Sequence, residues 1–169
     1  MNCKLKYTLR ASPAITAATI GLCLATQAAA KLVGIDLPDQ QNVEVVRQWM
    51  LHAFDSPKSF ATCAMLLAQV LALLPAVEEF AFRWLLVMLP HRAAAGRIPL
   101  LALAIPSSAL FSAAHYVAQP FPDSAFVALF FFGLAQCWLY GKTDRIWFPM
   151  LNHLLFNLTN IVLLFVVPA

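Results

Sequence analysis

Residues 59–90 read SFATCAMLLAQVLALLPAVEEFAFRWLLVMLP. The stretch is apolar except for a carboxylate pair, Glu78-Glu79, an Arg four residues later, and Gln69. As one straight α-helix it reaches roughly 48 Å, against about 30 Å of bilayer hydrocarbon. A membrane helix is therefore expected here, longer than a straight crossing, with Pro75 placed to kink it just before the acidic pair. A kink frees a backbone carbonyl, which is tolerated only where protein or water satisfies it. Each carboxylate at a helix centre costs roughly 2.5 kcal/mol or more in hydrocarbon, so two adjacent ones imply a site and its partners.

The rest of the chain agrees. Of 169 residues, 62% are hydrophobic and 11% charged, and the mean hydropathy is +0.76. Soluble domains carry about 25% charged residues. The expected fold is all-α, a polytopic transmembrane helix bundle forming one membrane domain over residues 1–169. The net charge of +3 is no sign of nucleic-acid binding, because the basic residues sit at the ends of apolar segments. The four cysteines show no metal-ligand spacing and read as small hydrophobes.

Five membrane spans are expected, at about 12–30, 59–90, 98–117, 124–140 and 146–167. Lys4, Lys6 and Arg10 before the first span, and Ala28-Ala29-Ala30 near its end, also fit the layout of a cleaved export signal. A retained helix is the favoured reading. Lys and Arg placement predicts an N-terminus inside a plasma (inner) membrane. Lys4, Lys6, Arg10, Arg92, Arg97, Lys142 and Arg145 then lie inside, and Lys31, Arg47 and Lys58 outside. Between Asp36 and Asp55, apolar residues at helical spacing predict an amphipathic helix, on the outer surface or capping the bundle.

Three polar sets recur on the spans. Glu79 and Arg83 are i,i+4 neighbours, so Arg83 neutralises Glu79. Glu78 points about 100° away and is left to face a cavity; the alternative is that both acids merely lock helices through Arg83. Ser108, Phe111, Ser112 and His115 share a face, which predicts a cavity lining or close helix packing. His153, Asn157 and Asn160 form a third stripe. Asn152 lies off that stripe and is expected near the membrane surface, and Gln136 reads as a structural hydrogen-bonding group. One carboxylate, two imidazoles and a carboxamide suit water activation by a general base with oxyanion stabilisation. They also suit a zinc site with Glu78, His115 and His153 as ligands and an open fourth position. Straight-helix counting puts Glu78 roughly 16 Å, His115 about 25 Å and His153 about 10 Å from the inner surface. The three meet only through tilting, helix breaks at Pro75 or Pro106, or different span ends. No G-x-S-x-G, H-E-x-x-H or glycine-rich phosphate loop is present.

Glu78-Glu79…Arg83, Phe111…His115 and His153…Asn157 resemble, in order, the three motifs of the CAAX-protease and bacteriocin-processing family of intramembrane endopeptidases, which includes the type II CAAX prenyl endopeptidases. The resemblance spans residues 76–160, the expected catalytic core. It implies an intramembrane peptidase in which Glu78 and His115 act on the attacking water; the free Glu78 beside a paired Glu79 favours the metal-free glutamic type. By the same resemblance His153 and Asn157 stabilise the oxyanion, and Glu79 and Arg83 support them. Many members have Gly where this chain has Trp84. The extra N-terminal helices of the eukaryotic CAAX enzymes are not seen, which favours leader peptides and membrane-anchored sorting tags over prenylated C-termini as substrates. The competing expectations are a zinc-dependent form of the same peptidase, a non-enzymatic self-immunity or scaffold protein, and a proton-coupled carrier.

Overall fold

The computed structural model describes residues 3–37, 41–116 and 123–166, with residues 41–44 described by backbone alone. All regular structure among them is helical. Helix α1 spans Cys3–Leu32 and α2 Gln41–Leu51. Helix α3 is the continuous run Pro57–Ala93, followed by α4 (Leu100–Ala114), α5 (Phe126–Thr143) and α6 (Trp147–Val166).

Helices α1, α3, α5 and α6 are each long and apolar enough to cross a membrane, and α4 is a shorter apolar helix. Their outward faces carry large apolar side chains such as Leu24, Phe80, Leu101, Leu110 and Phe131, all exposed. Soluble monomers rarely show continuous apolar surface on this scale. The chain is an integral membrane protein, and lipid covers those faces. The helix expected at 98–117 is shorter than its prediction, and 117–122 lies outside the described residues. Helix α2, the expected amphipathic segment, packs against α6.

Helix α3 starts where Ser56 accepts the Ser59 backbone N–H at 3.0 Å, with Pro57 at the first helical position. Both features are ordinary helix-start chemistry. It does not continue as a uniform α-helix. Two stretches, Gln69–Leu73 and Glu79–Met88, are wound in the wider π form, separated by one turn of α-helix at Leu74–Glu78. Such π segments are rare and often mark functional positions.

Helix α1 runs antiparallel to α5. At one end Lys4 donates to the Thr143 carbonyl; at the other, Cys23 Sγ lies 3.4 Å from Ser124 Oγ. Arg92, near the end of α3, pairs with Asp144 just after α5. Lys4, Arg92 and the α5–α6 turn therefore sit at the same end of the bundle. The buried stripe of α1 is Thr8, Ser12, Thr16 and Thr19, and the hydroxyls of Thr8, Ser12 and Thr19 bond back to carbonyls of α1 itself. Cys63 and Cys137 are buried as small hydrophobes, but Cys3 is exposed, and all four cysteines are free.

Helices α4 and α5 approach closely at Gly133. A methyl group there would come within 2.9 Å of Ser108 Cβ and 3.1 Å of its Cα. The small serine face of α4 thus serves close packing, one of its two expected uses. Gly133→Ala gains about 1 kcal/mol of helix propensity but meets backbone, and overpacking costs about 1–3 kcal/mol. The expected result is a lower melting temperature in detergent, recovered by adding Ser108→Gly. An unchanged melting temperature for Gly133→Ala alone would contradict this contact.

Candidate active site

The two adjacent glutamates have different surroundings. Glu79 is fully buried. Its Oε1 accepts from His153 Nδ1 at 2.8 Å and from Gln136 Nε2 at 3.2 Å. Its Oε2 lies 3.3 Å from Arg83 Nε, the i,i+4 pair expected from the spacing. The Arg83 guanidinium, also buried, makes no hydrogen bond to a described residue and instead lies over the Phe111 ring, its Cζ 4.0 Å from the centroid. A desolvated cation over an aromatic face is held by the ring quadrupole. Glu78 is one position along the helix, and its side chain is 26% exposed. Its Oε2 lies 3.6 Å from His153 Nε2, beyond direct hydrogen-bond length.

His153 thus stands between the acids, one ring nitrogen on each. Glu79 accepts the proton of Nδ1, which fixes the ring and turns Nε2 toward Glu78. The ring packs edge-on against Phe132 at 5.1 Å and against Phe111 at 6.1 Å between centroids. Phe111 also carries His115, edge-on at 4.7 Å, so the two histidines flank one aromatic ring. His115 follows the last residue of α4, and its Nδ1 is 2.8 Å from the Phe111 carbonyl.

The π stretch from Glu79 to Met88 fits more residues into each turn, so counting at the α-helical rise overstates the distance along α3.

A second helix break explains Asn157. The Leu74 N–H bonds to the Gln69 carbonyl, in π register. Residue 75 is proline, which has no N–H. The Val70 carbonyl is left without a backbone donor, and Asn157 Nδ2 supplies one at 2.9 Å. This is the freed carbonyl anticipated from Pro75, met by protein.

Two residues enter the site that sequence reasoning left aside. Asn152 is fully buried, and its Nδ2 donates to Gln136 Oε1 at 2.8 Å. Gln136 Nε2 in turn donates to Glu79 and, at 3.0 Å, to the Pro149 carbonyl. Gln136 thereby joins α5, α3 and the first turns of α6. Asn160 stays outside, donating to Phe156 of its own helix at 3.1 Å. Among the described residues, no group of three His, Cys, Asp or Glu side chains is arranged to hold a metal ion.

A family model described as type II CAAX prenyl endopeptidase Rce1-like matches residues 57–159, from the start of α3 into α6. The chain belongs to this family. No curated protein and no solved structure matches it. Membership in the Rce1-like family implies protease activity within the membrane on a membrane-associated protein. All three motif sets lie inside the matched segment, while α1 and α2 lie outside it. Within the Rce1-like region, Glu78, Glu79, Arg83 and His153 form one contiguous cluster. His115 adjoins it across Phe111, and Asn157 sits one turn along α6 from His153, fastened to α3.

Proposed function

We propose that the chain is a glutamic-type intramembrane endopeptidase in which Glu78 is the general base. The observation that carries this reading is the contrast between the two acids. Glu79 is buried and spent on Arg83, His153 and Gln136. Glu78 is partly open and faces His153 Nε2 across 3.6 Å. A base must reach both water and substrate, and only Glu78 has that access.

In the proposed reaction, Glu78, assisted by His115, takes a proton from water as the water oxygen attacks the scissile carbonyl carbon. The oxyanion that forms accepts hydrogen bonds from His153 Nε2 and Asn157 Nδ2. As the carbonyl reforms, the C–N bond breaks and Glu78 returns its proton to the leaving amine. Glu79 holds His153 in orientation, as a buried carboxylate does for a catalytic imidazole.

The substrate is a membrane-anchored or leader-bearing peptide or protein. The clustering of Lys4, Arg92 and the α5–α6 turn at one end, together with the Lys/Arg bias, supports that end as cytoplasmic in a plasma membrane. The reading is metal-free. Purified protein is expected to cleave a peptide substrate at an undiminished rate in EDTA or phenanthroline. Complete loss of cleavage with chelator, restored by zinc, would overturn the metal-free mechanism in favour of zinc held by Glu78, His115 and His153.

A further inference from the structure

Pro75 lies outside all three motifs, yet the polar contact between α3 and α6 at Asn157 depends on it. Its ring withholds the N–H that a continuing π register would direct at the Val70 carbonyl. The preceding N–H, from Leu74, goes to Gln69. The Val70 carbonyl is therefore reserved for a side chain, and Asn157 Nδ2 occupies it. A carboxamide nitrogen carries two hydrogens in one plane. With one held by Val70, the other is confined to a cone about that bond.

We propose that Pro75 is a positioning residue for catalysis. By keeping the Val70 carbonyl vacant of backbone donors, it orients the Asn157 amide so that its second hydrogen is preset as an oxyanion donor. The catalytic half of this inference rests on the peptidase reading; the reserved carbonyl does not. Preorganised donors stabilise a transition state because they need no rearrangement as charge develops. An alanine at position 75 supplies an N–H for Val70, competes with Asn157 and leaves the amide free to turn.

The test is a four-protein cycle of wild type, Pro75→Ala, Asn157→Ala and the double variant. Each is melted in detergent and assayed for kcat and KM on a peptide that the wild type cleaves. Asn157→Ala is expected to melt a few degrees lower, because a part-buried carbonyl loses its partner. In the Pro75→Ala background the same substitution is expected to leave the melting temperature nearly unchanged. Pro75→Ala alone is expected to melt no lower than wild type while kcat falls by about 10- to 100-fold, with KM nearly constant. A structural role alone would not separate kcat from stability in this way. Additive melting losses, or wild-type kcat in Pro75→Ala, would overturn the proposal. If Pro75→Ala does not accumulate, Pro75→Ser supplies the same N–H and is read by the same outcomes. A wild type that cleaves nothing overturns the peptidase reading and the catalytic half with it, while the melting cycle decides the reserved carbonyl by itself.

Discussion

Glu78→Gln is expected to fold like the wild type and to lose turnover by about 10²-fold or more. Glutamine keeps the shape and hydrogen-bonding capacity of the side chain but cannot take a proton from water. General-base catalysis typically contributes about 10²–10⁴-fold. The position tolerates the change because the side chain is partly exposed and its facing partner, His153, stays anchored on Glu79. A cleavage assay beside a detergent melting curve checks it. A fully active Glu78→Gln would remove the general-base assignment.

Glu79→Gln is expected to fail in the opposite order, losing stability or yield first and activity as a consequence. Arg83 and Glu79 are both buried, and their charges face each other at 3.3 Å. Without the carboxylate, the Arg83 charge keeps aromatic faces as its partners, chiefly the Phe111 ring at 4.0 Å, with Phe82 farther off at 5.9 Å. A cation–π contact contributes about 0.5–2 kcal/mol, whereas breaking a buried ion pair on one side costs about 3–5 kcal/mol. The ring cannot offset the loss. Adding Arg83→Met to Glu79→Gln removes the stranded charge and is expected to recover much of the melting temperature, since apolar replacement of a whole buried pair is often neutral or better. Equal destabilisation by Glu78→Gln and Glu79→Gln would refute the division of labour between the two acids.

Much of the site was legible in residue spacing. The i,i+4 relation of Glu79 and Arg83 is a consequence of helical period, and the pairing survives the local change to π winding. The serine face of α4 and the His153–Asn157 stripe were readable for the same reason. Winding itself was not readable: nothing in residues 69–88 except Pro75 signals a departure from 3.6 residues per turn, so depths counted along α3 were wrong. A position near a helix end does not exclude burial, as Asn152 shows. What decides burial is which neighbour a side chain faces. A usable signal existed, since Gln136 and Asn152 lie equally far in sequence on either side of Asp144, the left-handed residue that ends α5. Antiparallel helices joined by so tight a turn bring equidistant residues to one level. The hydroxyl stripe of α1 was not noticed at all, because Thr and Ser in an apolar helix hardly disturb its hydropathy.

That stripe has a mechanical consequence. Because Thr8, Ser12 and Thr19 donate their hydroxyls to carbonyls of α1, those donors are not available to the described residues of α5. Packing holds the two helices together there without dictating their axial register. The cross-helix polar contacts lie toward the ends, at Lys4 with the Thr143 carbonyl and at Cys23 with Ser124. The first helix behaves as a strut pinned at its two joints, free of any zipper along its shaft, and its joints, more than its middle, set where it stands.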